Sequence, residues 1–360
     1  MVKRIVWMKI SPEEFAEKAV NAIHSCLEGI PFVEIKAIIK EVRSSYRRPD
    51  LLITVGLPYG EQSLIAEMKS SGEPRYVREA ASQLVKYRYS APPGTYGLVI
   101  APFISPKAAE ICAEEKIGYV DFSGNCLLSF GYVYLERQGR PNLFAERRDL
   151  RSLYSPKAER ILRVLLTSPH GRWKLQDLAK EAQVSLGQVS KVKALLGARE
   201  WSSPEHGQFQ LTKPFELLSE WAANYDAKRN EGRNFYTFKK VWEFEADLAE
   251  ACAESGTEYA LTGFSGAARL APAVRYQRAA AYVNVPQEEL AFRLGLKEVS
   301  SGANVLLMRP YDAGVFYGIR SVGDIRIASP VQLYLDLMAI KGRGEEAAQA
   351  VLEQAIMPLW

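Results

Sequence analysis

Residues 155–196 read SPKAERILRVLLTSPHGRWKLQDLAKEAQVSLGQVSKVKALL. The opening Ser-Pro places a capping hydroxyl and then a proline at the first helical position, and Ile161, Leu162, Val164, Leu165 and Leu166 give one broad apolar face. Leu175, Leu178, Ala179, Val184, Val189, Val192 and Leu196 follow with the spacing of two short helices meeting across a tight turn at residues 184–187. That is the helix-turn-helix pattern. Trp201, the run from Pro204 to Gly207 and then Phe209 to Leu211 read as two short strands around a turn, which completes a winged helix. Its second helix offers Ser185, Gln188, Lys191 and Lys193, side chains able to hydrogen-bond base edges or phosphates. A winged helix also serves protein contacts. The donor-rich face, free of an apolar patch, favours DNA as the partner.

Outward from this centre, 360 residues exceed what one hydrophobic core serves, so the expectation is three domains: 1–150, 151–230 and 231–360. Hydrophobic residues at 48% and charged residues at 24% exclude a disordered chain. The net charge of +4 does not by itself announce a nucleic-acid partner, so the placement of basic residues matters more: Arg43, Arg47 and Arg48; Arg147, Arg148 and Arg151; Lys180, Lys191 and Lys193. Four cysteines without CxxC pairing and three histidines give no zinc-type spacing. No signal-peptide core and no apolar run of about 18 residues is present, which sets the expectation of a cytoplasmic protein with no membrane partner. Walker-type and dinucleotide fingerprints are missing too.

Residues 11–27 predict a capped helix, and 32–39, 51–55 and 64–68 predict strands with a turn at Pro58 and Gly60. A helix over 73–89, a strand over 96–101, a helix over 105–115, a strand over 119–121 and a strand over 127–136 complete a mixed sheet flanked by helices. The charged segment 139–154, with Pro141, suits a linker.

Within that first region, Pro49-Asp50 precedes LLITV, and the strand LIAEMK carries Glu67 and Lys69, two residues apart and so on one strand face. Two carboxylates at a strand edge make a hard oxygen site for Mg²⁺, and a neighbouring lysine can position an attacking water. This arrangement resembles the PD-(D/E)xK restriction-endonuclease-like superfamily, whose catalytic signature falls on Asp50, Glu67 and Lys69. Gln83 and Tyr87 on the next helix are similar to the QxxxY element of its RecB-like branch. The resemblance implies a Mg²⁺-dependent DNA nuclease, with Asp50, Glu67 and a helix-borne acid, Glu14 or Glu17, as metal ligands. The blander alternative makes Asp50 a turn cap and Glu67 with Lys69 an exposed strand pair. Asp121-Phe-Ser-Gly-Asn125 either lines the same cleft or forms a turn.

Toward the C-terminus stand Thr262-Gly-Phe-Ser-Gly-Ala267, a strand over 281–285 reading AYVNV, and Ser329-Pro-Val-Gln-Leu-Tyr-Leu-Asp-Leu-Met338. With the winged helix, these resemble the AbiEi-type antitoxins, transcriptional regulators of type IV toxin–antitoxin systems, over about residues 155–355. The resemblance implies an α/β nucleotidyltransferase-like domain, a promoter to bind and a toxin to control. Where a working transferase needs paired metal-binding aspartates the strand offers Tyr282-Val-Asn-Val285, so transfer activity is not expected. Arg269, Arg275 and Arg278 either hold phosphate or are solvated surface. A symmetric operator would call for a homodimer. Two functions therefore stand open: a metal-dependent nuclease delivered to DNA, or a non-catalytic regulator.

Overall fold

The computed structural model describes residues 11–40, 49–88, 91–143, 153–205, 208–273 and 275–360. The chain divides into two compact units, Met1–Arg147 and Arg148–Trp360. The arginines expected to matter at positions 43, 47, 48, 147, 148 and 151 lie outside the described residues.

In the first unit, helix α1 (Pro12–Leu27) starts from a capping box in which Ser11 Oγ accepts the Glu14 N–H and the Glu14 carboxylate accepts the Ser11 N–H. Strands β1 (Glu34–Lys40), β2 (Leu51–Leu57) and β3 (Gly60–Met68) run antiparallel. Helix α2 (Pro74–Arg88) then crosses to β4 (Tyr96–Ala101), and α3 (Pro106–Glu114) crosses to β5 (Gly118–Asp121). These crossovers make β3, β4 and β5 parallel neighbours. Strands β6 (Cys126–Phe130) and β7 (Val133–Arg137) close a seven-stranded sheet in the order β1 to β7. The single strand expected over 127–136 is thus two. Gly131 takes a left-handed φ of 53° and turns the chain back, so Cys126 pairs with Arg137.

Alternation along β2 and β3 sorts side chains between the two faces. Leu51, Ile53, Val55, Leu64 and Ala66 join Ala19, Ile23 and Cys26 of α1 in one core. Ile65 joins Val77, Ala80 and Leu84 of α2 and Ile111 of α3 in the other. Residues Asp50, Glu67 and Lys69 have the parity of the α2 face.

The second unit begins with α4 (Pro156–Thr167), α5 (Leu175–Glu181) and α6 (Leu186–Ala198), followed by the hairpin β8 (Ser202–Glu205) and β9 (Gln208–Leu211). Trp173 exchanges two backbone hydrogen bonds of 2.8 Å with Phe209, laying a third short segment along the hairpin. Helix α7 spans Pro214–Asn224, and a 3-10 turn occupies Ala227–Arg229. There Asp226 accepts the Lys228 N–H and restarts the chain in a new direction.

Next come β10 (Glu231–Tyr236), α8 (Val241–Ser255), β11 (Tyr259–Leu261), α9 (Gly263–Ala267), β12 (Ala279–Val283), α10 (Gln287–Arg293), β13 (Lys297–Glu298), β14 (Val305–Arg309), β15 (Arg320–Val322) and β16 (Ile325–Ile327). Helices α11 (Pro330–Met338) and α12 (Arg343–Val351) follow. The sheet order is β13-β10-β14-β12-β11-β16-β15, with parallel and antiparallel pairs mixed. Strand β12 sits two residues earlier than the expected 281–285, because Asn284 turns out of the ladder and its Oδ1 accepts the Glu258 N–H at 3.0 Å.

One continuous core joins Ala158, Ile161, Leu165, Val189 and Phe209 to Leu333, Leu337, Ala348 and Val351. The helices of residues 156–198 and the C-terminal helices therefore share buried surface. A polar seam crosses the same contact: Arg229 donates to Glu159 at 2.6 Å, Arg163 to Gln332 at 2.6 Å and Arg160 to Asp312 at 2.7 Å. Both units are mixed α/β structures. Among the described residues no helix is long and apolar enough to cross a membrane.

Candidate functional site

The register of β2 against β3 pairs Leu51 with Ala66 and so brings Asp50 opposite Glu67. Asp50 Oδ2 accepts the Met68 N–H at 2.8 Å, which fixes the carboxylate at the end of β3. Glu67 is only 4% exposed. The Lys69 backbone N–H still donates to Ile100 across the parallel ladder, so Lys69 keeps the strand direction one residue past β3. Its ammonium lies 3.3 Å from Glu67 Oε2 and donates to Gln83 Oε1 at 2.5 Å. Gln83 and Tyr87 are one helical turn apart on α2, and Tyr87 donates its hydroxyl to Glu67. Asp50, Glu67, Lys69, Gln83 and Tyr87 thus form one cluster.

Its electrostatics are uneven. Burial pushes the Glu67 carboxyl above its usual range, and the charge of Asp50 pushes further, against the opposing pull of Lys69 and Tyr87. Burial and the neighbouring Glu67 push the Tyr87 hydroxyl up to about 12. Two carboxylates face each other, and one ammonium lies beside Glu67. A divalent cation bound through one or two carboxylates and several waters fits that donor set.

Glu14 is not brought to this cluster. Its carboxylate is engaged in the α1 capping box, and α1 packs on the opposite face of the sheet from α2; Glu17 is exposed on the same helix. Among the described residues no group of three or more His, Cys, Asp or Glu side chains is arranged to hold a metal ion. The Asp121–Asn125 run is a closed turn. Asp121 accepts from the Asn125 and Ile104 backbones and from the Asn125 amide, while Asn125 Oδ1 and Ser123 Oγ accept the Arg140 and Leu143 N–H groups. Its polar atoms are engaged in joining loops.

In the second unit, Gln183 takes a left-handed φ of 53° between α5 and α6 and makes the sharp turn. Ser185 caps α6, its Oγ accepting the Gln188 N–H at 3.3 Å. Buried Val189, Val192 and Leu196 set the inner side of α6. Ser185 and Lys191 are exposed, whereas Gln188 and Lys193 are half-buried on opposite flanks. Gly187 and Ser190, not singled out from sequence, hold the exposed side; the three buried positions at spacing 189, 192 and 196 were the signal for them.

A cleft of about 500 Å³ opens at the turn, lined by Lys157, Lys180, Gln183, Ser185 and Gln188 with Ala179 and Val184. Lys157, from the first turn of α4, is a further residue that the sequence reading did not select. Among the described residues, Lys157, Lys180 and Lys191 have no ion-pair partner, while Arg160, Arg199 and Arg229 are paired with carboxylates.

The Thr262–Ala267 loop faces inward. Ser265 is fully buried and donates to the Thr262 and Ala280 carbonyls, and Thr262 donates to Asp336. Tyr282, on the strand where a transferase would carry aspartates, is also fully buried and donates to Asp336 at 2.8 Å. Arg269 is bound to Glu245 at 2.6 Å and Arg278 to Asn234 at 2.5 Å, so neither guanidinium is free of protein partners. Arg275 contributes its backbone carbonyl as acceptor for Arg343.

Two classes meet in this chain: a mixed sheet bearing a carboxylate–lysine cluster, and a helical, basic segment packed on a second α/β sheet. Residues 210–357 match the family described as transcriptional regulator, AbiEi antitoxin, type IV TA system. Comparison with curated proteins gives no match. Among solved structures the chain is similar to EndoMS in apo form, at 15% identity over 29% of this chain and 45% of that one, with a TM-score of 0.22. An EndoMS–dsDNA2 complex is similar at 15% identity, 34% and 48% coverage and a TM-score of 0.23. A repair endonuclease from Pyrococcus abyssi is similar at 14% identity, 29% and 46% coverage and a TM-score of 0.23. The chain spans a little under half the length of each of these structures.

Proposed function

We propose that this protein is a DNA-binding regulator of the AbiEi type, gripping the duplex through a winged helix formed by α4–α6 and β8–β9. The observation that carries this reading is a set of cations without ion-pair partners among the described residues: Lys157 and Lys180 lining the cleft at the N-terminus of α6, and Lys191 exposed on α6 itself. Lysines left without carboxylate partners on one side of a helix-turn-helix are suited to phosphate oxygens, and the exposed Ser185, Gly187 and Ser190 are small enough for close approach to a groove. Residues 231–360 act in this reading as a nucleotidyltransferase-like domain without transfer chemistry, since Ser265 and Tyr282 are engaged in internal hydrogen bonds. The family description supplies the partner, a toxin under the regulator's control. A homodimer would read a two-fold operator.

Binding of the full chain to its own promoter DNA, followed by anisotropy across a salt series, tests this. Each of Lys157→Ala, Lys180→Ala and Lys191→Ala should weaken binding and flatten the salt slope by about one. Unchanged slopes in all three would end the proposal.

A second reading concerns residues 1–150 and is favoured by the convergence of Asp50, Glu67, Lys69, Gln83 and Tyr87. This domain is then a PD-(D/E)xK-type nuclease in which Asp50 and Glu67 hold Mg²⁺. The ion would supply charge stabilisation at the phosphorus oxygens. Gln83 and Glu67 hold the Lys69 ammonium beside the carboxylates, where it donates a hydrogen bond that orients the attacking water, whose proton leaves to solvent; Tyr87 steadies Glu67. Lys69→Ala should lower Mg²⁺-dependent DNA cleavage on the order of 10²-fold or more. Gln83→Ala, which loosens Lys69 without removing it, should cost less. Cleavage that survives both EDTA and Lys69→Ala belongs to something else.

A further inference from the structure

Lys157 and Lys180 line the cleft from two different helices, α4 and α5. Helix α5 spans only Leu175–Glu181 and buries Leu178 and Ala179, a length at which a helix takes its stability and its place from its partners. One such partner comes from the C-terminal sheet. Residues 310–319, between β14 and β15, reach both helices as a strap. Tyr311 donates its hydroxyl to Glu159 of α4, and the Arg160 guanidinium holds both Asp312 oxygens, at 2.7 and 3.0 Å. Further along the strap, the Tyr317 hydroxyl donates to Glu181 Oε1 at 2.9 Å, at the last residue of α5. The strap between these anchors is tied down as well. Asp312 also accepts the Gly314 N–H at 2.7 Å, opening the 3-10 turn Ala313–Phe316, and Val315 and Phe316 are buried in the shared core. A Cβ at Gly314 would stand 2.7 Å from Arg160 Cγ, so the strap and α4 approach closely there. The anchors fall beside the lysines of the cleft: Glu159 lies two residues after Lys157, and Glu181 follows Lys180 directly. Gln183, whose left-handed φ turns the chain into α6, comes two residues after Glu181.

We propose that residues 310–319 are a positioning strap through which the C-terminal sheet sets the spacing of α4 and α5 across the cleft, with Tyr317 as the positioning residue for α5 and for the turn into α6. The consequence for DNA rests on the winged-helix reading above. Tyr317 brings no cation to a phosphate. Its hydrogen bond fixes the last turn of α5, the backbone that carries Lys180 and leads into Ser185 and Gln188. Coupling of this kind is reciprocal: whatever holds the strap in place strengthens the grip on DNA, and bound DNA steadies the strap. The C-terminal sheet thereby tunes operator affinity from outside the DNA-binding face.

The test compares the unaltered full chain with Tyr317→Phe, which deletes one hydroxyl and keeps the ring and every charge. In the free protein, amide hydrogen exchange over residues 175–188 should quicken about fivefold or more, while exchange in β11 and β12 stays as it was. Affinity for promoter DNA should fall about fivefold or more with the salt slope unchanged, because every phosphate-facing cation is retained. Glu181→Gln, whose amide oxygen still accepts the Tyr317 hydroxyl, should keep exchange slow. Tyr317→Phe combined with Glu181→Gln should bind several-fold more weakly than Glu181→Gln alone. Equal binding by those two would assign the loss to repulsion by a freed carboxylate and overturn the proposal. Unchanged exchange over residues 175–188 in Tyr317→Phe overturns it, as does unchanged affinity in a chain that binds DNA. An unaltered chain that binds no DNA ends the winged-helix reading instead, and the exchange measurement then decides the strap by itself.

Discussion

Glu67 in the first unit and Asp336 in the second are both buried carboxylates held above their ordinary pKa, and they are partnered in opposite ways. Asp336 Oδ1 accepts from the hydroxyls of Tyr225 and Tyr282 and from the Gln332 amide, and Oδ2 accepts from Thr262. Its donors are neutral and converge from α7, β12, α11 and the start of α9. Glu67 faces Asp50 and meets one ammonium and one phenol. A carboxylate saturated by neutral donors fixes elements in place and leaves no lone pair for a ligand. A carboxylate pressed against another is relieved by a cation. The first arrangement is closed by its own donors, and the second is the one the proposed nuclease reading rests on.

The sharpest way to break this comparison is Asp336→Ala. Removing the shared acceptor takes it from three hydroxyls, while the Gln332 amide keeps the Tyr225 and Tyr282 oxygens, and the second unit should lose about 3–5 kcal/mol, read as a drop in its urea midpoint. A loss under about 1 kcal/mol would mean water replaces the carboxylate without penalty. Tyr282→Phe is a gentler probe. It deletes one hydroxyl that donates to Asp336 and accepts from Asn230, and should cost about 1–3 kcal/mol while leaving the other donors in place.

Smallest in size but most informative is Glu67→Gln. The folded-state pKa of Glu67 is raised above its unfolded value, so its ionisation disfavours the fold. The penalty is absent below the ordinary carboxylate range and develops as pH rises through the folded pKa. In metal-free buffer the substitution should therefore stabilise the first unit on the order of 1 kcal/mol at pH 8, and the gain should vanish in acid. Mg²⁺ added to the unaltered protein at pH 8 should close the gap. A destabilisation that is equal at both pH values would show that neither burial nor Asp50 holds the Glu67 carboxyl above its ordinary range.

Much of the first unit was legible along the chain because each step rests on local rules. Short apolar runs bounded by Pro58 and Gly60 gave β2 and β3, the Ser-Pro caps gave helix starts, and the i, i+4 spacing put Gln83 and Tyr87 on one side of α2. Since strand parity fixes the face, Glu67 and Lys69 were bound to project together. The turn at Gly131 was missed because a two-residue reversal inside an apolar run has no periodicity of its own. Helices α5 and α6 were legible from their apolar spacing, which also marks the inner side of α6. Gln188 and Lys193 were selected by residue type, and packing of Val189, Val192 and Leu196 leaves both half-buried, with Gln188 lining the cleft.

What the sequence by itself determined is which elements form and which side chains share a face, because these follow from backbone geometry within a few residues. Only the tertiary structure decided partners. It put α1 and α2 on opposite faces, separating Glu14 from Asp50 and Glu67; it joined Asp336 to four donors; and among the described residues it left Lys157, Lys180 and Lys191 without carboxylate partners. Contacts between residues tens to a hundred positions apart depend on how layers pack, and no local period encodes them.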